Sequence, residues 1–132
     1  MDRQALYFTG PRQVAVNRET LPAPAFGQVL VQTILSAISP GTELLIYRGL
    51  APLGLARDET IAALAGDFTF PLTYGYAAVG QVVELGPGVA PAWKGRLVFA
   101  FQPHASHFLA TPEELLRVPA GLNPEEAVFF PN

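Results

Sequence analysis

The stretch FPLTYGYAAVGQVVELGPGV, Phe70–Val89, decides the fold. Its middle, Ala77–Leu85, is rich in valine and free of proline, and reads as a β-strand with Val79, Val83 and Leu85 on one face and Gln81 opposite. Gly86-Pro87-Gly88 forces a turn after it, because proline fixes its own backbone and lacks a donor while glycine accepts turn conformations. Pro71–Tyr76 leads in from the other side.

Outward from this strand the same pattern recurs, with short apolar segments punctuated by Gly and Pro. Towards the N-terminus, Gln28–Ile38 is a long Val/Ile/Leu/Thr-rich strand, opened by Gly27 and ended at Ser39-Pro40-Gly41-Thr42-Glu43. Gln4–Thr9 and Arg12–Arg18 flank Gly10-Pro11 as an opening hairpin, with Val14 and Val16 on one face and Gln13, Ala15 and Asn17 on the other. Leu21-Pro22-Ala23-Pro24 cannot continue a ladder. Towards the C-terminus, Arg96–Phe101, Phe108–Thr111 and Leu115–Val118 are further strands. Leu44–Arg48 is expected to make one helical turn stopped by Gly49, Ala56–Leu64 a longer helix, and Pro124 a helix start with acids behind it. The expected fold is mainly β, a sandwich or partly open barrel with a few short helices.

Composition bounds the function. The chain has 132 residues, enough for one domain over 1–132, with half of them hydrophobic and 14% charged. Disorder needs the opposite balance. The net charge is −3 and the basic residues are scattered, so no stripe exists to hold a phosphate backbone, and nucleic acid is not an expected partner. Cysteine is absent, which removes disulfides, thiol nucleophiles and cysteine-bearing metal sites, and is compatible with the cytoplasm. The N-terminus has no apolar run of the secretory type, and no apolar stretch approaches the ~18 residues of a membrane span. A cytoplasmic location away from membranes is expected.

Three segments carry a family resemblance. GQVLVQTILSAISPGTELLIYRG (Gly27–Gly49) resembles the strand and turn that enter the active site of medium-chain dehydrogenases/reductases, the alcohol-dehydrogenase and quinone-oxidoreductase relatives. Phe70–Val89 is similar to their glycine-histidine-glutamate segment, valine-rich strand and Gly-Pro-Gly corner. GRLVFAF followed by LLRVPAGLNPEEAVFFPN resembles the closing strand and the approach to the cofactor domain. Around Ser39–Gly49 and Asp58–Tyr76 the wording is most similar to zinc-free members near the bacteriochlorophyllide-dehydrogenase branch. The resemblance implies a GroES-like, partly open β-barrel and an NAD(P)-dependent parent enzyme. It also implies a Rossmann domain beginning just beyond Asn132, so that these residues alone bind no cofactor and do not catalyse.

Departures from the family pattern shape the site. Zinc-dependent members carry a cysteine where this chain has Ser39 and a histidine where it has Tyr76, and hydroxyl and phenol are poor zinc ligands. No metal is therefore expected. The only sequence superficially like a dinucleotide loop, Gly86-Pro87-Gly88-Val89-Ala90, runs into Pro91 with no helical pattern, so it reads as a β-corner. Tyr76 either donates a hydrogen bond to a substrate carbonyl, polarising it for hydride attack, or packs as a half-buried tyrosine beside Tyr74. Ser39, Thr42 and Glu43 either line the substrate pocket or form a turn in which Ser39 or Thr42 caps a helix, and Tyr47, one turn on, either lines the same pocket or packs against the barrel. His104 and His107 read as a surface loop rather than a metal pair, and Trp93 as a packing residue.

Two functions remain open. One is the substrate-side domain of a metal-free oxidoreductase that moves hydride to or from a carbonyl, alcohol or activated alkene. The other is a stand-alone β-barrel binding or assembly module without catalysis. The face around Tyr76 and the tail Ala127–Phe130 are expected to expose apolar surface that meets a Rossmann domain, or its equivalent chain, or drives homo-oligomer formation.

Overall fold

The structure is a computed structural model that describes residues 1–50 and 69–129. The Ala56–Leu64 helix expected from sequence lies outside them.

Strands β1 (Asp2–Gly10) and β2 (Gln13–Thr20) form the opening hairpin, a two-stranded antiparallel sheet. β3 (Val29–Ala37), β4 (Ala77–Leu85), β5 (Leu97–Ala100), β6 (His107–Ala110) and β7 (Leu116–Arg117) form a second sheet in the order β6-β3-β4-β5-β7, every pair antiparallel. Among the described residues two short helices accompany them, α1 (Thr42–Arg48) and α2 (Pro124–Ala127). The fold is mainly β and partly open. Among the described residues no helix is long and apolar enough to cross a membrane.

β4 lies at the centre of the larger sheet, and both its faces are covered. Ala78 and Val82 join Val29, Val31, Val98, Phe108 and Leu115 in one core cluster. Ala77 and Val79 face the other way, onto Phe99, Ala127 and Val128. A bulge opposite Leu30 and Val31 changes the alternation after Val82, so Leu85 packs with Val82 and not with Val79. Sequence alternation had placed Val79, Val83 and Leu85 together. The bulge corrects that, because one extra residue turns every later side chain to the opposite face. Gly80 is needed where β3 crosses: a Cβ there would stand 2.5 Å from the Gln32 carbonyl oxygen.

The tail also departs from expectation. α2 starts as its sequence suggests, with the Asn123 side chain accepting the Glu126 N–H at 2.9 Å and Pro124 at the first position. It then packs on β3 and β4, burying Ala127 and Val128 completely or nearly so. Only Phe129 of the described tail is exposed. The hydrophobic face of this short helix finds its cover within the chain. Trp93, on a single 3₁₀ turn (Pro91–Trp93), packs against the first cluster, with the Arg117 guanidinium 4.6 Å above its ring.

The hairpin docks through its backbone. Phe8 exchanges hydrogen bonds with Leu72 at 2.8 and 3.0 Å, and Leu6 N–H donates to the His104 carbonyl at 3.0 Å. Arg3 adds a side-chain tie, donating to the Glu19 carboxylate and to the His107 carbonyl at 3.1 Å. A third cluster forms where hairpin, α1 and the 70–76 segment meet: Phe8, Ile46, Leu72 and Tyr74, with Leu6, Phe70 and Tyr76 against them. Val14 and Val16 do share a face of β2, but it is half or more exposed.

Candidate functional site

The turn after β3 delivers the first group of candidate residues. β3 ends at Ala37, Pro40 stops the ladder, and α1 begins at Thr42. Gly49 closes the helix in a left-handed conformation at φ 73°, and its N–H returns to the Ile46 carbonyl. Neither Ser39 nor Thr42 caps the helix. The N-cap is Gly41 and no side chain bonds there. Glu43 instead reaches back, and its Oε2 accepts the Ser39 N–H. A carboxylate near a helix start is favoured by the free N–H groups, and this one satisfies the turn backbone that a serine or threonine cap would have left alone.

Glu43 is the only charged side chain buried among the described residues, at 2% exposure. A buried carboxylate needs donors on both oxygens. The second comes from His104, whose Nε2 bonds Glu43 Oε1, while Nδ1 of the same ring lies 2.6 Å from Ser36 Oγ on β3. The His104 side chain is 13% exposed. Sequence reading had put it in a surface loop with His107; the structure corrects both. His107 is half-buried on β6, and burial, with Arg3 nearby, holds its imidazole below the ordinary range. Gly75 makes the placement of His104 possible. A Cβ there would come within 2.8 to 2.9 Å of the backbone from Gln102 to His104.

Ser36, Glu43 and His104 lie on a hollow of about 480 Å³ whose other walls are mostly apolar: Leu6, Phe8, Val14, Ile38 and Leu44, with Tyr47 at the side. Glu43 and Tyr47 are thus brought together, Ser39 joins them through its backbone, and Thr42 sits half-buried beside Glu43. Tyr76 is elsewhere. It is half-buried against the third cluster and meets Phe101 edge-on, ring centres 5.1 Å apart. Sequence reasoning missed Ser36 and His104. The signal was Glu43 itself, an acid in an apolar turn that had to find a cation or donor somewhere.

Comparison with known proteins follows the same lines. No protein-family model matches the chain. Over 87 residues it is 36% identical to 2-desacetyl-2-hydroxyethyl bacteriochlorophyllide A dehydrogenase of Cereibacter sphaeroides, a match spanning 66% of this chain and 24% of that protein. An alcohol dehydrogenase superfamily protein from Novosphingobium aromaticivorans superposes over 96% of this chain and 37% of its own, at TM-score 0.73 and 25% identity. The chain has the fold of the medium-chain dehydrogenase/reductase superfamily. A further solved structure, that of a short chain alcohol dehydrogenase from E. coli CFT073 complexed with cofactor NADH, matches over 96% of this chain and 41% of its own, at TM-score 0.72 and 17% identity. The chain thus spans about a quarter of the curated relative and about two fifths of these structures.

Within the superfamily fold, the corner Gly86-Pro87-Gly88 is packed and not open. A Cβ on Gly86 would stand 2.1 Å from the Ala25 carbonyl oxygen, and Gly86 N–H donates to the Gln28 carbonyl at 2.7 Å. Gly88 lies against the Phe26 ring. These groups do not fit a dinucleotide phosphate, which needs free N–H groups at a helix start. Nor do three His, Cys, Asp or Glu side chains gather for a metal ion among the described residues.

Proposed function

We propose that this chain is the substrate-side domain of a metal-free NAD(P)-dependent oxidoreductase that moves hydride to or from a carbonyl, alcohol or activated alkene. It works with a dinucleotide-binding domain or an equivalent chain, and these residues do not catalyse alone. The observation that carries the reading is the buried Glu43 array at the end of β3, set in a superfamily fold. The curated relative acts, by its name, as a dehydrogenase of a hydroxyethyl compound, which favours an alcohol and its carbonyl over an alkene. NAD(P) is supported by the superfamily member solved with NADH. A cytoplasmic site of action accords with the absence of cysteine.

Metal-free chemistry is supported by the donor set. Serine and tyrosine stand where zinc-dependent relatives carry cysteine and histidine, and His104 and Glu43 are occupied with each other. Substrate polarisation then falls to hydrogen-bond donors. Tyr76, half-buried beside Phe101, is the donor this reading assigns. Ser39 and Thr42 form the turn beside Glu43, away from Tyr76; Glu43 holds that turn in place, and Tyr47 lines the apolar hollow.

The test is a fusion of residues 1–132 to the dinucleotide-binding part of the bacteriochlorophyllide dehydrogenase relative. NAD(P)H oxidation with aromatic ketones should appear in the fusion, fall at least about tenfold in Tyr76→Phe as one transition-state donor is lost, and need no added zinc. The 132-residue chain alone should show no saturable NAD(P)H binding by fluorescence. A folded fusion without turnover, or micromolar NAD(P)H binding by the chain alone, overturns the reading.

A further inference from the structure

Ser36, His104 and Glu43 are joined in series. Glu43 Oε1 meets His104 Nε2, and His104 Nδ1 meets Ser36 Oγ at 2.6 Å. An ionised Glu43 only accepts, and its other oxygen takes the Ser39 N–H. The neutral ring bonded to it therefore carries its proton on Nε2, and Nδ1 holds the lone pair that faces the Ser36 hydroxyl. A nucleophile within hydrogen-bond reach of a base, with that base oriented by a third group, is the arrangement that activates a serine. It is recognised by geometry and roles, not by order along the chain. The two ring nitrogens have exchanged partners relative to the serine proteases, where Nε2 faces the serine, and the roles are the same.

The array is held still from several sides. The His104 carbonyl accepts the Leu6 N–H at 3.0 Å, and Gly75 lets the backbone of residues 102–104 approach closely. Steadying the turn after β3 uses only the Glu43 carboxylate and its two donors, the Ser39 N–H and His104 Nε2. The opposite ring nitrogen and Ser36 take no part in that, and Ser36 borders the hollow of about 480 Å³.

We infer that Ser36 is a nucleophile, with His104 as its general base and Glu43 positioning the ring, and that the hollow takes the acyl group of a neutral, apolar ester. Leu6, Phe8, Val14, Ile38 and Leu44 suit a hydrocarbon chain. Among the described residues the lining carries no lysine or arginine to hold an acidic one. Tyr47, on the same lining, brings a hydroxyl donor for the ester carbonyl oxygen.

In the first step Ser36 Oγ bonds to the ester carbonyl carbon as its proton passes to His104 Nδ1. The bond from that carbon to the leaving oxygen breaks, and the proton goes to the departing alcohol or phenol. Water then adds to the acyl carbon and gives a proton to Nδ1. The carbon–Oγ bond breaks and Oγ takes that proton back. The balance is ester plus water giving acid plus alcohol, with nothing oxidised or reduced. The activity goes beyond the proposed hydride transfer. That reaction needs a nicotinamide from a second domain, whereas hydrolysis needs only these side chains and water.

The test uses the 132-residue protein with p-nitrophenyl butyrate as substrate and phenylmethylsulfonyl fluoride as covalent probe. Hydrolysis should saturate with ester and run at least about a hundredfold faster than in Ser36→Ala, the low end of what a positioned base contributes. The fluoride should stop it in step with the gain of one sulfonyl group on Ser36, read by peptide mass spectrometry. His104→Gln, which keeps a side-chain donor for Glu43, should slow hydrolysis and labelling by a similar factor. Labelling of the wild type decides the matter even where a variant does not fold. Label on any other residue, no label, or hydrolysis no faster than in a folded Ser36→Ala would each overturn the inference. Ester hydrolysis by a fusion that never oxidises NAD(P)H would sink the oxidoreductase reading alone. NAD(P)H turnover by a fusion whose Ser36 stays unlabelled would sink this inference alone.

Discussion

Glu43 and His104 stand 61 residues apart in the chain and bond directly, carboxylate to imidazole, beneath the turn that ends β3. The pair joins four parts of the fold. Glu43 belongs to α1 and holds the Ser39 N–H; the His104 ring reaches Ser36 on β3; its carbonyl takes the Leu6 N–H of β1. The site is thus held from below by a buried hydrogen-bonded contact, while its walls are set by ordinary packing.

Removing one partner of such a pair leaves the other buried and unsatisfied, at a cost of about 3 kcal/mol. His104→Ala should therefore lower unfolding stability by about that amount, measured by urea denaturation at neutral pH. Glu43→Gln keeps the shape and one acceptor, so its loss should be smaller, about 1–2 kcal/mol. Because the two residues share the contact, the double variant His104→Ala/Glu43→Gln should cost clearly less than the sum of the singles. Additive costs would show that the pair is not coupled.

Gly75 controls where His104 lies. A methyl group would press on the backbone of Gln102, Pro103 and His104 at once, and backbone cannot give as a side-chain end can. Gly75→Ala should cost about 1–3 kcal/mol, as overpacking does, and should shift the His104 imidazole resonances in the folded protein. Gly95→Ala, where the same methyl meets no atom within 4 Å, is the contrasting control for crowding, although its positive φ of 82° brings a backbone cost of its own. His104 resonances unchanged in Gly75→Ala would refute the positioning role.

Much of the fold was legible because it is local. Val-rich runs bounded by Gly and Pro mark β3, β4 and β5 to within a residue or two, and Gly49 and Pro124 mark helix ends by their backbone chemistry. The bulge in β4 was not legible, since nothing in AAVGQVVEL names the residue that slips; that is decided by the partner strand. The site divided the same way. Ser39, Thr42, Glu43 and Tyr47 are neighbours in sequence and stayed neighbours in space. Ser36 has a bland setting in a strand, and His104 sits in a Pro-containing loop, so only the tertiary contact with Glu43 gives them meaning.

Besides the exposed Phe129 of the tail, apolar surface lies on the hairpin side. Val14, Val16, Ile34 and Ile38 are each half or more exposed, and they line two hollows that share Leu6, Ser36 and His104. Such a continuous patch promotes association. Light scattering should give a mass above the 14.1 kDa of one chain at high concentration, and Val16→Lys/Ile34→Lys should return it to monomer. A wild-type protein already monomeric at millimolar concentration would exclude the homo-oligomer.

The hairpin makes stability depend on pH at both ends of the scale. Tyr7 donates its hydroxyl to Glu19, which holds the Glu19 carboxyl below its ordinary range, with Arg3 adding to the effect against the opposing cost of burial. The contribution of a carboxylate so lowered is complete above its unfolded pKa and lost as pH falls through the folded one. His107 has its pKa lowered by burial and then by Arg3, so the fold prefers the neutral ring. Its contribution is complete above the unfolded value of about 6.5 and declines as pH falls from there. Both therefore erode stability on the acid side, His107 first. Tyr7 is shifted the other way: the bond to Glu19, burial and the Glu19 charge raise it above 10.0, so its contribution is present below that value and lost as pH rises through the folded pKa. Urea midpoints measured from about pH 4 to about pH 11 should fall on acidification and again above about pH 10, and His107→Gln should flatten the upper part of the acid limb. Glu19→Gln should flatten the part below about pH 5, and Tyr7→Phe should remove the alkaline decline. Superimposable curves for wild type and all three variants would mean that these contacts, though formed, carry no net stability.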